Sequence, residues 1–167
     1  MCCIIYKPKG VQMPTLDTLN KVQRINHDGY GFVSSKHRYK TMDYHKFLDH
    51  LSKVGTDEEC IIHMRWATHG SKCRKNCHPF AENDIYFAHN GVLPIQSVND
   101  MTDSEIFFRN QVYPLVTQYG YESKVTESMM MAAAGSSKFA MMYKGKVKLY
   151  GDYTNLNGVY YSNLRWL

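Results

Sequence analysis

Strand-like runs open and close this chain and helical segments lie between them, an order that constrains the fold more than any single motif. Cys2-Cys3-Ile4-Ile5-Tyr6 is a short apolar run with β-branched isoleucines, so a strand starts directly behind Met1. Leu16, Leu19, Val22 and Ile25 recur at helical spacing, and Asp28-Gly29-Tyr30-Gly31-Phe32 reads as a glycine-rich turn into a second strand. A helix is predicted from Asp43 as N-cap through Phe47, Leu48 and Leu51 to Val54, with Gly55 ending it. The runs Cys60 to Ala67 and Ile85 to His89 are rich in strand formers, and the second closes on Asn90-Gly91, a pair that favours a tight turn. Thr102-Asp103-Ser104-Glu105 fits a capping box ahead of the apolar positions Ile106, Phe107, Val112 and Leu115. A further helix over 123–134 stops at Gly135, and 138–167 alternates strand-like runs with turns at Lys144-Gly145 and Asn157-Gly158. Strands, then helices, then strands predict an α+β architecture rather than an alternating parallel one.

The 167 residues fit one domain, 1–167, long enough to bury a substantial core. Lys and Arg number 20 against 15 Asp and Glu, giving a net charge of +5, but the charges are scattered without a basic run, so nucleic-acid binding is not implied. Most of the 13 tyrosines and 7 phenylalanines fall inside strand-like runs such as Ile85-Tyr86-Phe87 and Val159-Tyr160-Tyr161, where sheet and core packing account for them. No apolar stretch approaches the roughly 18 residues needed to cross a bilayer, and Met1 to Gly10 lacks the apolar core of a secretory signal, so a cytoplasmic protein without membrane contact is expected. In a reducing compartment the 5 cysteines are expected to stay free of disulfides.

Cys2 is the residue with the most chemistry to offer. Once Met1 is removed, Cys2 carries both a thiol and a free α-amine, a nucleophile and a base on one residue. Its small side chain favours methionine removal. Further along lie Asn26-His27-Asp28-Gly29-Tyr30-Gly31-Phe32, His63-Met64-Arg65-Trp66-Ala67-Thr68-His69-Gly70, His78-Pro79, Ala88-His89-Asn90-Gly91 and Thr102-Asp103-Ser104-Glu105. In this order and approximate spacing the motifs resemble the N-terminal-nucleophile glutaminase domain of class II glutamine amidotransferases over nearly the whole chain. Arg65 to Gly70 is most similar to the glutaminase half of glucosamine-6-phosphate synthases.

The resemblance implies a four-layer αββα sandwich of the N-terminal-nucleophile hydrolase type, and a cysteine-dependent amidohydrolase acting on L-glutamine without a cofactor. Cys2 would attack the side-chain amide while its α-amine moves the proton, giving a glutamyl thioester and ammonia, then glutamate. The Asn90 side chain and the Gly91 N–H would form the oxyanion hole. Arg65 would hold the substrate α-carboxylate through its planar fork and Asp103 the substrate ammonium. Trp66, Thr68 and His69 would shape the pocket, with the Asp28-Gly29 loop beside the nucleophile. The chain departs from the pattern at Cys3, where glycine is common, and at Asn26-His27, where the synthases carry arginine-glycine. No synthase portion follows Leu167, so a separate synthase or other ammonia acceptor is the expected partner.

Other readings of the same residues stay open. Cys2 read alone is a small residue opening a strand, Asp103 a first-turn helix charge, and Asn90-Gly91 a hairpin turn. Cys73-Arg74-Lys75-Asn76-Cys77-His78 has a Cys-x₃-Cys spacing that His69 or His63 could complete as a zinc site, although the reading adopted is that no metal is bound. A free-standing hydrolase of glutamine or γ-glutamyl amides, and a non-catalytic binding protein on the same fold, are the functional alternatives.

Overall fold

The computed structural model describes residues 1–98 and 100–167, which form two antiparallel sheets and several helices. Six strands make the first sheet in the order β3-β2-β4-β1-β10-β9: β1 (Cys3–Lys7), β2 (Tyr30–Ser34), β3 (Arg38–Thr41), β4 (Cys60–Met64), β9 (Thr154–Leu156) and β10 (Val159–Tyr161). The second is β5-β6-β7-β8, from β5 (Phe80–Glu82), β6 (Ile85–Asn90), β7 (Lys138–Tyr143) and β8 (Lys146–Tyr150). Hairpins at Lys144-Gly145 and Asn157-Gly158 have positive φ at both central residues, as the sequence indicates.

Alternation along the strands decides what each face buries. Cys3 and Ile5 of β1, Tyr30 and Phe32 of β2, and Cys60, Ile62 and Met64 of β4 pack against α1 (Leu16–Ile25) and α2 (Tyr44–Leu51) through Leu19, Val22, Phe47 and Leu51. Phe87, Phe139 and Met141 of the second sheet pack against α3 (Asp103–Phe107), α4 (Tyr113–Tyr119) and α5 (Lys124–Ala134) through Phe107, Val116 and Met130. The intervening positions Ile4, Val33 and Ile61 meet Ala88, Ala140 and Met142 from the other sheet.

The N-caps follow the sequence chemistry. Asp43, Thr102 and Ser123 each accept from the backbone N–H three residues on. A π-helical turn, Phe108–Val112, joins α3 to α4.

Three boundaries differ from the sequence expectation. The helix from Asp43 ends at Leu51, not Val54, because Lys53 and Val54 donate to His50 and Leu51 carbonyls in a tightened last turn, while Val54 stays in the core. β4 stops at Met64 rather than running to Ala67, because the Ala67 N–H is drawn to the Asp28 carboxylate. Asn90-Gly91 does not form a hairpin: Asn90 pairs with Lys138 as the last residue of β6, and Gly91, at φ 148°, starts the long loop to α3.

Candidate active site

Antiparallel register brings the motif residues to one end of the sheets. Cys3 lies opposite Met64, so Cys2 enters β1 beside Arg65 as it leaves β4. Asn90 ends β6, and Asp103 is the first residue of α3. A small pocket there is lined by Cys2, Arg65 and Trp66, by Thr68 and His69, and by Gly91 and Asp103. Sequence motifs from four separate segments therefore converge. Asn90 lies behind this lining, and the Asp28-Gly29 loop pairs with Arg65: Asp28 N–H donates to the Arg65 carbonyl and Arg65 N–H to the Gly29 carbonyl, both at 2.9 Å.

Each side chain has a defined partner. Arg65 is buried, and its guanidinium donates to the Ser71 carbonyl at 2.9 Å and the His69 carbonyl at 3.0 Å, bracing the 65–71 loop. The Asp103 carboxylate accepts from the N–H groups of Leu93, 3.0 Å, and Ser104, 2.8 Å. Asp28 accepts from Ala67 N–H and pairs with Lys72 at 2.7 Å. Burial pushes the Asp28 carboxyl up, but those two partners outweigh it and hold it below its ordinary value. The exposed Trp66 stands edge-on to His27 at 5.6 Å, so the departure at Asn26-His27 still contacts the pocket rim.

The Cys2 thiol is partly exposed and reaches the Trp66 carbonyl at 3.5 Å. Desolvation raises its pKa, outweighing the opposite pull of a backbone hydrogen bond at Trp66, the Met1 amine and Arg65. A thiol kept protonated needs a base before it can attack. With Met1 in place the Cys2 nitrogen is an amide, and the Asn26 side chain donates to the Met1 carbonyl at 2.8 Å.

Some supporting residues carry no sequence motif. Ser162, just after β10, accepts from Ile4 N–H at 2.8 Å and from the Asn90 side-chain amide at 2.9 Å, tying the nucleophile strand to Asn90. Asn163 donates to the Cys2 carbonyl at 2.8 Å. Both lie far from the motifs in sequence, and only the β1–β10 pairing brings them close. Cys73 and Cys77 do not converge on a ligand set. The Cys77 thiol contacts the Thr41 carbonyl and Met42 sulfur, His78 stacks on His63, and among the described residues no three His, Cys, Asp or Glu side chains gather as metal ligands.

Three buried histidines stand at the pocket, His78 and His89 in its lining and His63 outside it. His63 bonds the His89 carbonyl at 3.1 Å, and His89 contacts the Ser104 and Ser137 hydroxyls. Desolvation lowers all three: His63 to about 3 and His89 to about 4, the latter against an opposing pull from Asp103, with His78 well below the ordinary 6.5. An unfolded histidine binds its proton near 6.5, so between that pH and about 4 the unfolded state holds more protons and stability falls as pH falls. The thermal midpoint is expected to be lower at pH 5 than at pH 7, and His89→Gln should narrow the gap. Equal midpoints at the two pH values would contradict this electrostatic picture.

Comparison with known proteins bears on this arrangement. The family described as class-II glutamine amidotransferases matches residues 54–146, more than half of the chain. A glutamine–fructose-6-phosphate aminotransferase (isomerizing) of Francisella tularensis is 28% identical over 104 residues, covering 56% of this chain and 17% of that protein. The enzyme of the same name from Buchnera aphidicola is 39% identical over 49 residues, 29% of this chain and 7% of the relative. That of Pseudomonas putida is 50% identical over 34 residues, 20% of this chain and 6% of the relative. The match spans less than a fifth of the length of each of these relatives. Among the described residues no helix is long and apolar enough to cross a membrane.

Proposed function

The chain belongs to the class II glutamine amidotransferases, and from that premise we propose that it hydrolyses the side-chain amide of L-glutamine at Cys2 and passes the ammonia to a separate synthase. The observation that carries this reading is the shared pocket of Cys2, Arg65, Gly91 and Asp103: a nucleophile, a cation, a backbone donor and an anion around one small space. We read residues 1–167 as a single glutaminase domain and the two sheets with their flanking helices as an αββα sandwich of the N-terminal-nucleophile type. The three packing clusters support that layering, one between the sheets and one under each helical group. A thiol nucleophile works in a reducing compartment, so a cytoplasmic location is part of the proposal.

In this mechanism removal of Met1 turns the Cys2 amide nitrogen into an α-amine. The amine takes the thiol proton, the sulfur attacks the carboxamide carbon, and the proton passes to the leaving nitrogen, which departs as ammonia. Water then cleaves the thioester, restoring the thiol and releasing glutamate. The Gly91 N–H and the Asn90 amide stabilise the oxyanion, the latter held in place by Ser162. Arg65 recognises the α-carboxylate and Asp103 the α-ammonium, while Trp66, Thr68 and His69 enclose the substrate and Asp28-Gly29 supports the Arg65 backbone.

The test is glutamate release from L-glutamine by the processed protein, alone and with candidate synthases. Arg65→Lys keeps the charge but loses the planar fork, so KM should rise about tenfold or more with a smaller change in kcat. Release that is absent under every condition, or a KM unmoved by Arg65→Lys, contradicts the assignment.

A further inference from the structure

Charges that are scattered along the sequence gather around a second cavity. A cleft of about 650 Å³, within the size range of small-molecule sites, opens beside β3, the 74–76 turn and α3. Arg38, Lys40, Arg74 and Lys75 line it. Three of these cations donate to neutral oxygens: Arg38 to the Tyr86 hydroxyl at 2.9 Å, Lys40 to the Lys75 carbonyl at 3.3 Å, and Arg74 to the Lys40 carbonyl at 2.9 Å. Their positive charge is therefore not cancelled by these contacts. Desolvation also holds the Lys40 ammonium below its ordinary pKa, which a bound anion would reverse.

The walls add two further kinds of chemistry. Tyr86 is half-buried and lines the cleft with aromatic surface, whereas the ring of Tyr39, also at its wall, is stacked on His50 at 3.7 Å. Glu105, only 4% exposed, also lines it. Its Oε1 accepts from Arg109 at 3.0 Å, whereas Oε2 is buried with no partner among the described residues. A buried carboxylate oxygen left without a donor is costly, and a ligand N–H or O–H would satisfy it.

We propose that this cleft binds a nucleoside phosphate, with its phosphates among Arg38, Arg74 and Lys75, its base against Tyr86, and a base or ribose donor on Glu105. A simple inorganic anion would use the cations but leave the aromatic surface and the Glu105 acceptor idle. The cleft is a neighbour of the Cys2 pocket: its residues Pro79 and Glu105 directly follow His78 and Ser104, which line the other. The inference does not depend on the glutaminase reading, because binding is measurable in a protein with no turnover.

The experiment is calorimetric titration of the full chain, and of its Cys2→Ala variant, with ATP, GTP, CTP, UTP and inorganic tripolyphosphate at one ionic strength. At least one nucleotide should bind with 1:1 stoichiometry about tenfold or more tighter than tripolyphosphate, equally in both proteins. Arg74→Glu with Lys75→Glu, both at exposed positions, should weaken that nucleotide about tenfold or more while leaving the circular dichroism unchanged. Glu105→Gln should reduce the preference for the nucleotide over tripolyphosphate; if that variant does not fold, the exposed pair carries the test. Tripolyphosphate binding as tightly as every nucleotide, no nucleotide binding at millimolar concentration, or an affinity unchanged by the charge reversal would overturn the proposal.

Discussion

Cys2→Ala is expected to lower glutamine hydrolysis by at least about a thousandfold while leaving the fold in place, because the proposed route has no second nucleophile. Little stability should go with it. The side chain is only partly buried, and its sulfur makes one long contact to the Trp66 carbonyl at 3.5 Å. Cys2→Ser should also be nearly inactive, since a hydroxyl is far harder to deprotonate than a thiol. The measurement is glutamate release under saturating glutamine, beside a thermal melt. Activity within tenfold of the unsubstituted protein, from a sample with an unchanged melt, would move the nucleophile elsewhere and dismantle the mechanism.

Gly91→Ala is the second large effect, acting on geometry rather than on a reacting atom. Gly91 sits at φ 148°, and an added Cβ would lie 2.2 Å from the Ser137 hydroxyl and 3.0 Å from the Ser137 Cα. The hydroxyl can rotate, but the backbone at the start of β7 must move. Since the Gly91 N–H is the proposed oxyanion donor, kcat should fall about a hundredfold or more, and stability by about 1–3 kcal/mol from the strained backbone. Gly10→Ala is the control: φ is also positive, 81°, but nothing lies within 4 Å of its Cβ. It should lose a little stability and no activity. Comparable kcat for the two variants would place the oxyanion away from Gly91.

Much of this arrangement was legible in the sequence because it depends on local chemistry. Thr102, Asp43 and Ser123 announce helix starts through side chains that cap them, and the Asn157-Gly158 and Lys144-Gly145 turns announce hairpins through their φ preference. The pocket residues were legible as motifs, and the register of β1 against β4 explains why Cys2 and Arg65 meet. Local rules failed where a distant group intervened. Asn90-Gly91 has hairpin chemistry, yet pairing with Lys138 and the Asn90 bond to Ser162 use it as a strand end. Ser162 and Asn163 carry no local signal, since their role comes from a pairing that spans nearly the whole chain. The basic cleft was hidden for the same reason. Arg38 and Lys40 are distant in sequence from Arg74 and Lys75, so counting charges along the chain could not reveal that they share one wall.

The central claim is that Cys2, freed of Met1, is the nucleophile of a glutamine-recognising pocket. Its most direct test is the intact mass of the purified protein before and after treatment with a diazo-ketone analogue of glutamine, with the adduct mapped by peptide. Loss of Met1 and a single adduct on Cys2, suppressed by excess L-glutamine, is the predicted result. A processed protein whose Cys2 stays unmodified, or whose adduct falls on Cys73 instead, would contradict it.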